Sequence, residues 1–328
     1  MKSEKIQNLS FFMMLGIVWS HSKLPRWESI PDYFRQLSVI NEMGSDTVGA
    51  FFLITGYLFF LNYNQEKYRE KITTRIKSLV IPYIIWNVLG CILWFIVIEL
   101  TGKLYVSDNY RYGEPLKVVG NILTCEYTIL WYVGVIIVYA FAAPFFYYLV
   151  RNKSTGVIAI GTLFVIGITF HHPFTSPLLW MSIYALGAFL GIHFKNYMYR
   201  PQRLLLTVSS LALYPLCFYL NYTFDNMLTT NLRAWTAVFF YIGIYDVCNR
   251  IIRFKSHRIY KYSFFLYASH YLPLHILQRY IIFHNHTVLT CWAAYIMTPV
   301  VVAIISIAVG YYIDKRFHRL YMLLSGGR

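Results

Sequence analysis

The chain has 328 residues, of which 58% are hydrophobic and 13% are charged, and its mean hydropathy is +0.49. Because soluble globular domains have about a quarter charged residues, this composition argues against a disordered protein or a cytosolic enzyme. The net charge of +15 comes from basic residues between apolar segments, where membrane topology and anionic lipid account for it, so no nucleic-acid partner is indicated.

Several apolar stretches exceed the roughly 18 residues needed to cross a bilayer core. Ten candidate spans follow one another, at about 8–22, 46–63, 79–99, 128–150, 155–170, 177–194, 204–221, 234–248, 262–283 and 288–313. The predicted fold class is therefore all-α, a polytopic membrane protein of about ten transmembrane helices in one domain over residues 1–328. Most of the 29 Lys and Arg residues then fall on one side, which predicts that both termini are cytoplasmic.

The first span ends in a histidine. An ionisable side chain in a span is costly and is by default a candidate for a functional site. His21 follows a clean apolar helix, precedes Ser22, and is expected close to Asp46 at the head of the second span. This position favours a general base, and an imidazole that only anchors the helix in the interface is the alternative.

The second and third spans add two further patterns. Gly49 and Gly56 are seven residues apart on one face of the second span, where they permit close helix packing. Before the third span, Lys71, Arg75 and Ser78 share a stripe at helical spacing. Cations would thus converge at the cytoplasmic mouth of the bundle, as a site for a phosphorylated ligand requires. An ordinary positive-inside flank is the alternative.

Taken together, these patterns resemble the acyltransferase-3 family of membrane acyltransferases. The matching segments, in order, are the helix ending in His21, FFLITGY at 51–57, the basic segment through Arg75 into IPYIIW at 81–86, LWYV at 130–133 with Ala143 and Pro144, and SFFLYASH at 263–270. The resemblance covers nearly the whole chain. It implies about ten helices and one acyltransferase-3-like transmembrane domain.

The same resemblance implies an activity. Family members move an acyl group, usually acetyl, from a cytoplasmic donor such as acetyl-coenzyme A to a carbohydrate hydroxyl outside. The implied partners are the acyl-CoA donor, a polysaccharide or lipid-linked glycan as acceptor, and the lipid bilayer. Acetyl-CoA would be a co-substrate, and no bound cofactor is expected. The implied location is a bacterial inner membrane, and the implied enzyme class is an O-acetyltransferase.

The family motifs assign roles residue by residue. The family's first-helix histidine, which ends an Arg-x10-His pattern, matches His21. Its FFxxSG(F/Y) motif is similar to residues 51–57, with Thr55 in place of serine and Tyr57 at the end. These matches imply a catalytic His21 and a cavity lined by Thr55 and Tyr57.

Two departures from the family pattern concern the donor side. Ser10 occupies the position of the first-helix arginine, and Ser78 replaces the second arginine of an RxxR pair that begins at Arg75. Ser10 and His21 still lie on one helical stripe, roughly 16 Å apart along the axis. Lys77 and Lys71 are the candidates to supply part of the missing charge, although lysine does not reproduce the bidentate fork of arginine.

The remaining candidates concern the acceptor. Glu126 precedes Trp131 at the outer face and is expected to bind acceptor hydroxyls. Trp131 and Tyr132 are suited to stacking on a sugar ring, and an aromatic belt at the membrane interface explains them equally well. His270 in the ninth span is expected to line the cavity, with a structural hydrogen bond to a neighbouring helix as the alternative.

The predicted mechanism is a direct transfer. His21 takes the proton of the acceptor hydroxyl as that oxygen attacks the donor thioester, and Asp46 stabilises the imidazolium. The five cysteines are widely spaced without a CxxC pair, so no metal site or disulfide framework is indicated, and a covalent acyl-enzyme is not indicated either. A saccharide or lipid transporter, a polysaccharide polymerase and a catalytically degenerate family member are the alternatives.

Overall fold

Every regular element of the computed structural model, which describes residues 4–24, 31–101, 115–169, 173–284 and 287–327, is helical. The helices are α1 (Glu4–Ser20), α2 (Tyr33–Phe60), α3 (Tyr68–Arg75), α4 (Ile81–Thr101), α5 (Pro115–Leu123), α6 (Trp131–Phe141), α7 (Ala143–Val150), α8 (Lys153–Thr169), α9 (Pro177–His193), α10 (Leu204–Phe224), α11 (Met227–Ile252), α12 (Ser263–Ser269), α13 (Tyr271–His284), α14 (Val288–Arg316) and α15 (His318–Ser325). A π-helical segment, Ile76–Val80, joins α3 to α4. The predicted all-α class is confirmed.

Four helical stretches of the described residues are long and apolar enough to cross a membrane: Val39–Phe60, Gln65–Leu100, Leu204–Phe224 and Val288–Arg316. A fifth arises if α6 and α7, which meet at 67°, form one bent span. Apolar side chains on two of these stretches are highly exposed, with Leu205 at 81% and Leu289 at 78%. Such apolar faces match lipid chains better than water. The count of about ten spans and the cytoplasmic termini stay predictions.

Two of the predicted spans are each divided by a proline. The predicted span 128–150 contains α6 and α7, with Pro144 in the first turn of α7. The predicted span 262–283 contains α12 and α13, with His270 between them and Pro273 three residues later. Proline has no N–H for the carbonyl four residues back, and its ring clashes there. For Pro273 that carbonyl belongs to Ser269, the last residue of α12, so the sequence itself locates His270 at the break.

The described helices form two compact units, each drawn from three stretches of the chain. The first unit takes its residues from 1–13, 46–74 and 135–260, and the second from 14–45, 75–134 and 261–328. In the first unit, α10 packs on α11 and α8 packs on α9. In the second unit, α14 packs on α12, α13 and α15, while α4 packs on α15.

Glycines bring α2 and α9 of the first unit into close approach. A Cβ atom on Gly56 would lie 2.4 Å from the Tyr184 carbonyl oxygen, and one on Gly187 would lie 2.2 Å from the Leu53 carbonyl oxygen. Any side chain at these two positions would therefore displace backbone. The interpretation of Gly56 as a packing residue is confirmed.

Candidate active site

Buried polar contacts hold the end of α1. Ser22 is completely buried, and its Oγ donates to the Tyr295 carbonyl oxygen at 2.7 Å and accepts from Gln278 Nε2 at 2.7 Å. Asn41 Nδ2 donates to the Ser22 carbonyl oxygen at 3.0 Å, and the Tyr295 hydroxyl donates to Asn41 Oδ1. We call these four residues the Ser22 clamp. Hydrogen bonds between buried groups are strong, so the clamp fixes the backbone directly after His21.

The His21 ring lies beside two other rings of the second unit. Its centroid is 5.6 Å from that of His270 and 5.5 Å from that of Tyr271, which it meets edge to face at 84°. His275 packs in turn against Tyr271 at 4.4 Å. His21 is partly exposed, whereas His270 is completely buried. The structure thus brings together two predicted site residues, His21 and His270, that are far apart in sequence.

His270 is oriented by backbone carbonyl groups. Its Nδ1 lies 3.0 Å from the Leu266 carbonyl oxygen and 2.9 Å from the Tyr267 carbonyl oxygen. Both partners only accept hydrogen bonds, so Nδ1 holds the proton and donates to them. Among the described residues, His270 Nε2 is buried without a hydrogen-bond partner. In the neutral ring, Nε2 is therefore an unused acceptor.

The predicted partner Asp46 lies in the first unit, where it is 2% exposed. Its Oδ2 accepts from Arg233 Nε at 2.8 Å and from the Tyr214 hydroxyl at 2.8 Å. Arg233 Nη1 also donates to Asn221 Oδ1 at 2.9 Å. A buried charge is costly unless it is paired, and Arg233 supplies the opposite charge. The predicted contact of Asp46 with a His21 imidazolium stays a prediction.

Arg233 is a buried residue of this site that the sequence motifs did not single out. The guanidinium of Arg233 lies 4.4 Å from the centroid of the Phe218 ring, in addition to its polar contacts. The available signal was an arginine next to the predicted span 234–248, together with an aspartate at the head of another span. Intramembrane ionisable residues of opposite sign pair with one another.

The segment FFLITGY packs α2 into the first unit. Phe52 stacks on Trp180 with ring centroids 5.1 Å apart, and the hydroxyl of the fully buried Tyr57 donates to the Lys195 carbonyl oxygen. Thr55 is partly exposed. Tyr57 thus has a structural hydrogen bond, and the cavity-lining roles of Tyr57 and Thr55 stay predictions.

The predicted donor residues differ in their surroundings. Lys71 Nζ donates to the Phe59 carbonyl oxygen at 2.5 Å, near the carboxyl end of α2, where a cation is favoured by the helix dipole. Arg75 ends α3 and is partly exposed, and Lys77 is exposed. Ser10 is partly exposed within α1.

The predicted donor residue Ser78 lies beyond the end of α3. Ser78 lies in the π-helical segment Ile76–Val80, and π-helical hydrogen bonding is wider than that of an α-helix. The backbone of this segment packs against the end of the chain: a Cβ atom on Gly326 would lie 2.2 Å from the Ser78 carbonyl oxygen, and Gly326 has φ +68°. Only glycine fits there. The prediction that Ser78 continues the stripe of Lys71 and Arg75 stays a prediction.

Of the predicted acceptor residues, Glu126 lies between α5 and α6, and Trp131 and Tyr132 begin α6. Glu126 is exposed, while Trp131 and Tyr132 are partly exposed, and Tyr132 meets the Tyr267 ring edge to face at 6.4 Å. Burial raises the pKa of the neighbouring Cys125 thiol to about 11, so this thiol is protonated at neutral pH and is no nucleophile. Residues 25–30, after the first predicted span, and residues 102–114, after the third, lie outside the described residues.

Within the described part of the chain, no group of three or more His, Cys, Asp or Glu residues could hold a metal ion. Neither curated proteins nor solved structures match the chain. A family model does match: that of the acyltransferase-3 family, described as an acyltransferase domain, covers residues 5–314. This match confirms the resemblance drawn from the sequence motifs.

Proposed function

The chain belongs to the acyltransferase-3 family, and from this we propose that it moves an acetyl group from cytoplasmic acetyl-CoA to a carbohydrate hydroxyl. Its family and its apolar helices make it an integral membrane acyltransferase. We further propose a bacterial inner membrane, about ten spans, both termini in the cytoplasm, and an acceptor in the envelope or outside the cell.

We propose His21 as the general base. His21 removes the proton of the acceptor hydroxyl, the oxygen forms a bond to the thioester carbonyl carbon, the carbon–sulfur bond breaks, and the proton passes to the leaving thiolate. The observation that supports this role is the Ser22 clamp, which fixes the backbone directly after His21, a partly exposed residue at the end of α1. A positioned base contributes roughly 10²–10⁴-fold in rate.

We propose that Arg75 is the main cation for the phosphates of acetyl-CoA. Arg75 is partly exposed, and its guanidinium can make bidentate contacts to phosphate that a lysine cannot make. Lys71 Nζ donates to the Phe59 carbonyl oxygen at the carboxyl end of α2. Lys77 is exposed and adds charge, and Ser78 and Ser10 occupy positions where the family has arginine. Fewer arginines mean fewer bidentate contacts to phosphate.

On the acceptor side we propose Glu126, Trp131 and Tyr132. A carboxylate accepts hydrogen bonds from sugar hydroxyls, and aromatic faces stack on sugar rings. Their exposure at the turn before α6 supports this assignment. Thr55 and Tyr57 are proposed to line the same cavity.

The test is transfer of radiolabel from acetyl-CoA to the glycans of isolated membranes that contain the unmodified chain, His21→Ala or His284→Ala at matched expression. His284 is an exposed histidine at the end of α13 and serves as the matched control. We expect incorporation with the unmodified chain and the control, and a loss of at least 100-fold with His21→Ala.

Each alternative gives a different result. Equal incorporation with and without His21 would refute the general base. No incorporation above empty membranes, with the unmodified chain present at the same level, would refute acetyl transfer and favour a transporter or a degenerate family member.

A further inference from the structure

His270 is a completely buried residue whose Nε2 lacks a hydrogen-bond partner among the described residues, and it lies beside His21. We propose that His270 positions His21: its Nε2 accepts a hydrogen bond from His21 while His21 holds the proton of the acceptor hydroxyl. This inference rests on the proposed function of His21 as the general base.

Only one ring nitrogen of His270 is available to accept a hydrogen bond. The carbonyl groups of Leu266 and Tyr267 both bind Nδ1, so the ring is held in one orientation and one tautomer. Both carbonyls belong to the last turn of α12, which ends there because Pro273 follows. Because Nδ1 is occupied by these two carbonyl groups, Nε2 is the nitrogen left to accept a hydrogen bond.

The His21 and His270 rings lie at nearly the distance of a direct hydrogen bond. A direct N–H···N hydrogen bond of about 2.9 Å between two imidazoles puts their ring centroids about 5 Å apart. The centroids of His21 and His270 are 5.6 Å apart, with the rings inclined at 47°. The observed separation is thus close to that of a direct hydrogen bond, and catalytic hydrogen bonds commonly tighten when substrate binds.

The positive charge that forms on His21 during the reaction requires a hydrogen-bond acceptor. When His21 removes the hydroxyl proton, it becomes a cation with two N–H donors. One donates back to the reacting oxygen or the departing sulfur, and the other needs an acceptor. Asp46 already accepts from Arg233 and Tyr214 in its own unit. His270 Nε2 has a lone pair for this purpose, without a second buried charge.

Two variants of His270 separate the proposed role from a structural one. Asparagine places an amide donor near the position of Nδ1 and keeps the contact with the carbonyl groups, but it has no acceptor at the position of Nε2. Glutamine places a carbonyl oxygen near the position of Nε2 and lacks the Nδ1 donor. We expect His270→Gln to remain within a few-fold of the unmodified kcat. We expect His270→Asn to lose about 10- to 100-fold in kcat, the effect of one hydrogen bond to a charged group.

The assay is acetyl transfer to membrane glycans over a range of acetyl-CoA concentrations, with the thermal unfolding midpoint of each purified variant measured in parallel. The loss in His270→Asn should be in kcat, with the KM for acetyl-CoA unchanged and an unfolding midpoint near that of the unmodified chain. If His270→Asn is at least as active as His270→Gln, the inference is wrong and His270 is structural.

His21→Ala is assayed in the same membranes, so that the two failures are distinguishable. Full activity of His21→Ala would overturn the proposed base and this inference together. An inactive His21→Ala combined with equal activities of the two His270 variants would overturn this inference alone.

Discussion

Replacing Arg233 with methionine is expected to lower the stability of the protein strongly. The change removes the 2.8 Å bond to Asp46, the 2.9 Å bond to Asn221 and the guanidinium that lies over Phe218. The Asp46 carboxylate, at 2% exposure, then loses its opposite charge. Removing one partner of a buried ion pair costs about 3–5 kcal/mol in the free energy of unfolding. Methionine retains an apolar side chain of similar length, so the loss reports mainly on the charge.

The double variant Asp46→Leu, Arg233→Met is the matched control. Replacing both partners of a buried pair with apolar residues is often neutral or stabilising, so the double variant should recover most of the lost stability. The assay is the thermal unfolding midpoint of the detergent-purified protein, followed by tryptophan fluorescence. An Arg233→Met variant with the midpoint of the unmodified chain would refute the reasoning.

The same double variant tests the predicted catalytic role of Asp46. If it is as stable as the unmodified chain but does not transfer acetyl groups, the Asp46–Arg233 pair is needed for the activity. If it is stable and active, the prediction that Asp46 stabilises a His21 imidazolium is wrong. In that case the Asp46–Arg233 pair serves the fold of the first unit.

Two further predictions use matched variants. Gly56→Ala should cost about 1–3 kcal/mol in the free energy of unfolding, because its Cβ would lie 2.4 Å from a carbonyl oxygen. The control is Gly161→Ala, whose Cβ would meet no described atom within 4 Å apart from the backbone of its own helix, and which should be neutral or slightly stabilising. Equal unfolding midpoints of the two variants would contradict this prediction. Arg75→Gln should raise the KM for acetyl-CoA about tenfold. Lys71→Gln loses its bond to a helix carbonyl, so it should lower the unfolding midpoint and leave the KM for acetyl-CoA nearly unchanged. If Lys71→Gln raises the KM for acetyl-CoA more than Arg75→Gln does, the proposal that Arg75 is the main cation for the donor is wrong.

The helices could be predicted from sequence because a long apolar stretch inside a membrane has to satisfy its own backbone hydrogen bonds, and a helix does so within one segment. The family could be predicted because five short segments occur in the right order. The Ser22 clamp could not, because residues 22, 41, 278 and 295 come from four separate segments. Helical periodicity indicates which face of a helix is apolar, and it does not identify the polar group that each buried side chain meets.

The sequence indicates one of the two departures from regular α-helix, the break at His270, and not the other. Pro273 marks the break at His270, although the span was predicted as one helix. The π-helical segment Ile76–Val80 has no comparable residue signal, since each of its residues is common in α-helices. Hydrogen bonding there is wider than in an α-helix. Spacing rules drawn from the regular α-helix do not describe such a segment.

The two departures from the family motifs both concern binding of the acyl donor. Ser10 and Ser78 replace arginines that would bind the donor, while His21 retains a fixed backbone and a neighbouring imidazole. Contacts made equally in the ground state and the transition state lower the KM without raising kcat. Contacts to the phosphates of coenzyme A are far from the reacting carbonyl group and belong to that class. The substitutions should therefore weaken donor binding and leave the chemical step intact, which favours an active enzyme with a high donor KM over a degenerate family member.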